Sequence, residues 1–235
     1  FETGISLPGS LIVSPSPFPV ENTRIYLPTD VEDLKYARSN PLAKTETISR
    51  VVRDTLTARA NGIRTLALVE STEELGMLKE LLVTTDLEVI HYTDGLRPRE
   101  ALVSFQKGNG TILAGTTAQY GRGVDLPGTT AEWTDYFRPG WPNPSAPSAQ
   151  FEERRFSQSV WALKRWRMGN TIRQVHGRNW RSETDKSVLF LRADGFRQRN
   201  LVPGVLPDWL QPALVTDKDT DACVQDALEL LRGNS

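Results

Sequence analysis

The stretch RTLALVESTEELGMLKELL, residues 64–82, places a strand-forming apolar run (64–69) directly before a helical pattern (72–82). Ser71 stands between them, where a helix N-cap is favoured. The alternation continues with strands at 87–91 and 111–114 and a helix at 98–105. Strands that alternate with helices form βαβ units, whose parallel sheet is covered on both faces. We therefore predict an α/β fold with a mostly parallel sheet flanked by helices.

The rest of the chain adds elements to what we take as a single domain, 1–235. Four prolines within 139–149 predict an extended surface loop, and residues 1–22 form an irregular opening segment. Further strands are predicted at 24–27 and 187–191. Further helices are predicted at 46–60 (capped by Thr45 or Thr47 and ended at Gly62), at 150–168 (ended by Gly169) and at 221–231.

The composition narrows the classes of protein and of site. Charged residues make up 24% of the chain, hydrophobic residues 38%, and the net charge is -1, so any nucleic-acid binding must come from local clusters of charge. The single cysteine, Cys223, excludes an internal disulfide and a Cys-ligated zinc site or iron–sulfur cluster, and we expect no metal site. Because no apolar run approaches bilayer length, we expect no membrane partner and a cytoplasmic location, at the nucleoid or in a nucleus.

Two short motifs carry the chemistry, and the first is TAQYGRGVD, residues 117–125, which we call motif V. It reads TxxxxRGxD after the strand at 111–114. The hydroxyl of Thr117 suits a nucleic-acid phosphate, Gly123 lets the backbone approach a ligand, and Asp125 is suited to accept a hydrogen bond from a ribose hydroxyl. The alternative is an ordinary glycine-rich βα turn.

The second motif is QVHGRNWR, residues 174–181, which we call motif VI. It reads QxxGRxxR, and its arginines, Arg178 and Arg181, are expected on a first helical turn, pointing the same way. A guanidinium stabilises the charge that spreads over the γ-phosphate oxygens during phosphoryl transfer. Gln174 would orient nucleotide or water, and Gly177 permits close backbone approach. The alternative is a solvated basic helix start.

Basic residues are concentrated between residues 154 and 181, where no acidic residue occurs. They are Arg154, Arg155, Lys164, Arg165, Arg167, Arg173, Arg178 and Arg181. Trp161, Trp166 and Trp180 lie among them, an arrangement that suits a single nucleic-acid strand, and we include Arg165 in the predicted strand-binding surface. The alternative, which we favour for most of the three tryptophans, is that their helical spacing places them in the core.

Residues 14–194 resemble the second RecA-like motor domain of the DinG/XPD group of superfamily 2 DNA helicases. The resemblance rests on segments 14–18 and 21–22, on 65–75 (motif IV), on 104–128 (motif V and its lead-in), on 142–147 and on 174–182 with Asp185. Position 122 is Arg where this group more often has Glu, and Trp180 replaces an aliphatic residue.

The resemblance implies a RecA-like, P-loop NTPase-type fold and a role for each matched residue. Arg178, Arg181 and Gln174 would be catalytic, and Gly123, Asp125 and Gly177 would contact ATP. The predicted nucleic-acid surface comprises Ser71, Thr117, Gln119, Tyr120 and Arg165.

The phosphate-binding half of an ATPase site is not encoded in this sequence. There is no G-x-x-x-x-G-K-[S/T] loop and no DExH/DEAD box. We therefore expect ATP and Mg²⁺ to be held mainly by an N-terminal RecA-like domain of the same or a partner polypeptide, with single-stranded DNA as the track. Two alternatives stay open, a binding or regulatory module that has lost the motor, and an RNA helicase or duplex translocase.

Overall fold

A seven-stranded parallel sheet organises the chain in the computed structural model, which describes residues 18–34, 40–91, 95–121, 123–141 and 144–233. The strands are β1 (Thr23–Tyr26), β2 (Thr65–Val69), β3 (Val89–Ile90), β4 (Ile112–Thr116), β5 (Trp133–Tyr136), β6 (Ser187–Leu191) and β7 (Leu214–Val215). Their order is β3-β4-β2-β5-β6-β1-β7, and every pair is parallel. The predicted fold class is confirmed.

Seven α-helices accompany the sheet in the described part of the chain. They are α1 (Pro41–Ala60), α2 (Thr72–Val83), α3 (Pro98–Gln106), α4 (Thr117–Tyr120), α5 (Pro147–Phe156), α6 (Val160–His176) and α7 (Thr220–Arg232). The predicted cap of α2 is confirmed: Ser71 accepts from the Glu74 amide, and the Glu74 side chain accepts from the Ser71 amide.

The strands bury both faces, as a sheet covered by helices requires. Every residue of β2, β4, β5 and β6 is buried. Alternate residues of β6 serve opposite faces: Val188 and Phe190 pack with α7, whereas Leu189 and Leu191 join the larger core cluster that includes α6. Because both faces of the sheet are covered, β6 is hydrophobic at every position from Val188 to Leu191.

Several predicted boundaries were wrong. Helix α1 begins at Pro41, with Asn40 as its cap, so neither Thr45 nor Thr47 starts it. The region predicted as one helix over 150–168 is two: α5 begins at Pro147, inside the predicted loop, and α6 continues through Gly169 to His176. Gly169 does not stop the helix but packs against Val205, where an added Cβ would lie 2.8 Å from the valine Cβ. The predictions for residues 1–17, Arg122 and residues 142–143 lie outside the described residues.

Strand β5 was missed because its middle carries an acid, Asp135, that local sequence gives no reason to bury. Arg192, 2% exposed, supplies the reason: its Nε donates to Asp135 Oδ1 (2.6 Å) and its Nη1 to Asp54 Oδ2 (2.7 Å). The Trp133 indole donates to the other Asp135 oxygen. Burial nevertheless raises the pKa of Asp135 to about 6. The cluster joins α1, β5 and the end of β6, and loss of one partner would leave a buried charge uncompensated.

His176, the last residue of α6, ties motif VI to the sheet. Its Nε2 lies 2.7 Å from Thr23 Oγ1, and that hydroxyl also contacts Ser187 at the start of β6. The ring is 3% exposed, and burial lowers its pKa to about 4. The folded chain therefore holds a neutral imidazole at neutral pH.

We expect His176 to make the free energy of unfolding fall as the pH drops from about 6.5 to about 4, because the unfolded chain binds a proton there that the folded chain excludes. The loss approaches about 1.4 kcal/mol per pH unit. Urea unfolding of the wild type and His176→Gln across this range measures it. Asp135, whose pKa is raised, acts with the opposite sign in an overlapping window, so the difference between the two curves isolates His176. Parallel curves would contradict the prediction.

Candidate nucleotide and nucleic-acid surfaces

Motif V begins at the carboxyl ends of the parallel strands and leads toward their amino ends. Thr117 follows the carboxyl end of β4, and residues 121–131 lead to the amino end of β5 at Trp133. Because β4, β2 and β5 are parallel neighbours, these two ends lie at opposite edges of the sheet. The Asp125 carbonyl accepts from Gln106, the last residue of α3, which leads to the amino end of β4. The two ends of motif V therefore face different surroundings.

The Arg178 guanidinium points inward and binds the motif V backbone. Its Nη1 donates to the Val124 carbonyl (2.6 Å) and its Nη2 to the Gly121 carbonyl (3.2 Å). The Leu126 amide donates a hydrogen bond to the Arg178 carbonyl (2.9 Å). The residue is 6% exposed; burial, and secondarily the charge of Arg181, lowers its pKa. Arg178 thus joins motif VI to motif V.

Both motif VI arginines follow the end of a helix, which corrects their predicted place on a first helical turn. Helix α6 ends at His176, and the Gly177 amide donates to the Arg173 carbonyl at its C-terminus. Gly177 is half-buried, and an added Cβ would lie 3.2 Å from that carbonyl oxygen. Gln174 is exposed on the last turn of α6. Because the chain leaves the helix here, Arg178 and Arg181 point in different directions.

The Arg181 guanidinium, in contrast, faces solvent from a fixed backbone. Asp185 accepts hydrogen bonds from the amides of Arg181 (2.7 Å) and Ser182 (2.8 Å). The Arg181 Nε lies 2.9 Å from Asp125 Oδ1, and the two side chains are 45% and 65% exposed. An exposed pair of this kind contributes only about 0–1 kcal/mol, so an incoming anion can displace it. Gly123, beside Asp125, is exposed with φ +68° and has open space around it.

At the carboxyl edge, Ser71 and Thr117 follow the neighbouring strands β2 and β4. The Ser71 hydroxyl accepts from the Glu74 amide, as the cap of α2. The Thr117 hydroxyl lies 2.6 Å from Glu70 Oε1 and 3.2 Å from the Val69 carbonyl. Gln119 is half-buried, and its Oε1 has no hydrogen-bond partner among the described residues. The structure therefore brings Ser71 and Thr117 to one edge, with Glu70 beside Thr117.

Tyr120 does not belong to an exposed surface. It is 1% exposed, its hydroxyl donates to the Pro98 carbonyl (2.9 Å), and its ring lies against Gly115, where a Cβ would clash. The predicted nucleic-acid contact by Tyr120 is corrected on this geometry, because the ring presents no open face. Arg165 is half-buried; its Nη2 lies over Gly204 and 3.3 Å from the Asn200 carbonyl.

The three tryptophans of the basic segment differ in burial. Trp180 is core, 4% exposed, and packs with Phe18, His176 and Trp209. Trp161 is half-buried against Trp141, and Trp166 is 49% exposed. The expectation that most of the three are core holds for Trp180 alone. Trp161 and Trp166 both lie on α6, whereas Trp180 follows the end of that helix, so the three do not share one helical face.

Sequence reasoning missed Glu70 altogether. Its signal is an acidic residue between an apolar strand and the Ser71 cap, a position that the structure places beside the motif V hydroxyl. Within the described residues there is no group of three or more His, Cys, Asp or Glu that could hold a metal ion. The same residues include no helix both long and apolar enough to cross a membrane.

The helicase C-terminal domain family matches residues 55–213, which is more than half of the chain. The matched region contains motifs V and VI and helices α2 to α6. No curated protein matches the chain.

Several solved structures share the fold. Xpd4 from S. tokodaii superposes with a TM-score of 0.58 at 16% identity, over 91% of this chain and 42% of that one. S. cerevisiae Dbp5 bound to RNA and ADP BeF3 gives 0.55 at 15% identity, over 92% and 46%. The C-terminal domain of S. cerevisiae Dbp5 L327V, bound to Gle1 H337R and IP6, gives 0.51 at 14% identity, over 89% and 98%.

At these identities the similarity is one of fold, and it confirms the predicted RecA-like architecture. The chain spans less than half the length of Xpd4 and of Dbp5, but nearly all of the Dbp5 C-terminal domain. This chain belongs to the helicase C-terminal domain family.

Proposed function

We propose that this chain is the C-terminal motor domain of an ATP-dependent DNA helicase and that Arg181 is its arginine finger. The observation that carries the proposal is the Arg181 guanidinium, which is exposed on a backbone fixed by Asp185 and is paired weakly with Asp125 of motif V. A γ-phosphate held by another domain requires an accessible cation on a fixed backbone, and the cation must be able to leave its present partner.

ATP and Mg²⁺ are bound mainly by an N-terminal RecA-like domain of the same or a partner polypeptide, since this sequence lacks the phosphate loop and the acidic magnesium motif. Arg181 leaves Asp125 when the γ-phosphate arrives and donates to its oxygens as charge develops there. Asp125, thus released, accepts from a ribose hydroxyl. Gly123, with open space around it, allows close backbone approach. Gln174 and Gly177 complete the surface as residues that orient the nucleotide or water.

Arg178 has a different role in this proposal from the one that the sequence suggested. Its Nη1 and Nη2 donate to the carbonyls of Val124 and Gly121, so it is a positioning residue that holds motif V in place. The catalytic contact falls to Arg181. A fork of two hydrogen bonds to backbone carbonyls is a use of arginine that lysine cannot reproduce.

The test is ATP hydrolysis by the longest native polypeptide that contains this segment, with and without single-stranded DNA. Arg181→Ala is expected to lower DNA-stimulated hydrolysis about 10³-fold or more while leaving DNA binding intact. Its stability should change by no more than about 1 kcal/mol, because only an exposed ion pair is lost.

Arg59→Ala is the matched control, because Arg59 pairs with Asp86 at the exposed end of α1. It should leave hydrolysis unchanged. Retention of hydrolysis by Arg181→Ala would contradict the finger role. If the native polypeptide shows no DNA-dependent hydrolysis, the chain is instead a binding or regulatory module with a motor fold.

The track is proposed to be a single strand of DNA, held at the carboxyl edge by Ser71 and Thr117, with Gln119 and Arg165 contributing. We expect the affinity of this chain for an unstructured DNA strand to fall as salt rises, with a log–log slope of about -0.7 for each phosphate neutralised. Competition with RNA of the same sequence measures the preference. An affinity independent of salt would contradict phosphate-dominated binding, and stronger competition by RNA would make the chain an RNA helicase domain.

A further inference from the structure

The Glu70 carboxylate lies where three neighbouring strands end. Glu70 itself follows β2, Thr117 follows β4, and Tyr136 is the last residue of β5. The Thr117 hydroxyl donates to Glu70 Oε1 (2.6 Å), and the Tyr136 hydroxyl, which donates to Met168 Sδ (3.9 Å), lies close enough to interact with the same carboxylate. Gly140 packs against Glu70 Oε2 so closely that a Cβ there would clash. The Glu70 carboxylate therefore lies among the ends of β2, β4 and β5, next to the first residue of motif V.

Two charged side chains face the Glu70 carboxylate, and they form an ion pair with each other. Glu74 from α2 is fully buried and accepts from Arg138 Nε (2.6 Å) and from the amides of Glu70 and Ser71. Arg138 is therefore bonded to Glu74, and the Glu70 carboxylate accepts its hydrogen bond from the neutral Thr117 hydroxyl. Burial raises the pKa of Glu70, and Glu74 adds to the rise; Thr117, Tyr136 and Arg138 oppose it without cancelling it.

The Thr117 hydroxyl carries one hydrogen, so it has one bond to donate. While that hydrogen goes to Glu70, Thr117 has none for a nucleic-acid phosphate. A phosphate at this edge would also bring a second negative charge close to the Glu70 carboxylate. If Glu70 is protonated, its own hydrogen goes to Thr117 Oγ1, and the Thr117 hydrogen is free for the phosphate.

We propose that Glu70 is a positioning residue for Thr117 and that it takes up one proton from solvent when Thr117 turns from Glu70 to a nucleic-acid phosphate. This inference rests on the proposed function, because it assumes a phosphate at Thr117. No covalent bond changes: the solvent proton neutralises the carboxylate, and one hydrogen bond is exchanged for two. Nucleic-acid binding then becomes tighter as the pH falls toward the pKa of Glu70.

Proton uptake on binding measures this directly. Calorimetric titration of this chain with an unstructured DNA strand, at one pH in buffers of different ionisation enthalpy, gives the number of protons bound per strand. We expect an uptake approaching one proton in the wild type and near zero in Glu70→Gln, whose amide donates to Thr117 permanently. The variant should also bind more tightly than the wild type at high pH, with a weaker pH dependence.

Glu73→Gln is the matched control, because Glu73 is an exposed acid on the first turn of α2. It removes the same charge nearby and should keep the wild-type proton uptake. Thr117→Val provides a second variant should Glu70→Gln not fold, and it should bind more weakly and take up no proton.

Equal uptake in the wild type and Glu70→Gln, or binding without uptake in the wild type, would overturn the role of Glu70 and leave the DNA surface standing. If no variant binds nucleic acid at any pH, the proposed surface itself falls, and the role of Glu70 falls with it.

Discussion

The hydrogen bonds from the Arg178 guanidinium to the carbonyls of Gly121 and Val124 are the interaction on which both proposed surfaces depend. They fix motif V against motif VI in a buried site. The Leu126 amide adds a third hydrogen bond, which it donates to the Arg178 carbonyl. Each hydrogen bond from a charged group is worth about 1.5–3 kcal/mol, and removing the donor leaves buried carbonyls unsatisfied. The rest of motif V is therefore positioned by a residue that never needs to touch a ligand.

That anchor separates the two ends of motif V. Thr117 lies at the carboxyl edge of the sheet with Glu70, whereas Asp125 pairs with Arg181 at the end that leads to β5. In the proposed motor, a phosphate of the track acts on the first end and a nucleotide on the second. One short segment, held in the middle by Arg178, would then transmit a change at one surface to the other. The exposed Arg181–Asp125 pair is weak enough to exchange for a ligand, and the buried contacts of Arg178 are not.

The sequence predicted the features that depend on local patterns. The parallel fold followed from strands and helices in alternation, and the Ser71 cap followed from its place between a strand and a helix. Features set by distant contacts were missed or misplaced. Strand β5 buries Asp135 because Arg192 lies opposite, and α6 runs through Gly169 because that glycine packs against Val205.

The motif residues also show that a local sequence pattern does not determine the distant contacts of a side chain. Arg178 and Arg181 are equivalent in the QxxGRxxR pattern, and their difference comes from the motif V loop that receives one and not the other. Tyr120 has a residue type suited to stacking on a base, but tertiary packing against Gly115 places it in the core. Glu70 belongs to no motif, and only the meeting of three strand ends gives it a role.

Hydrogen exchange at the Leu126 amide, compared between Arg178→Met and Arg181→Met, tests the anchor most directly. The two variants make the same substitution three residues apart, one at a buried anchor and one at an exposed side chain. We predict that Arg178→Met speeds exchange across residues 121–130 while the amides of β2 stay protected, and that Arg181→Met leaves both regions as in the wild type. Equal exchange at Leu126 in the two variants would contradict the account.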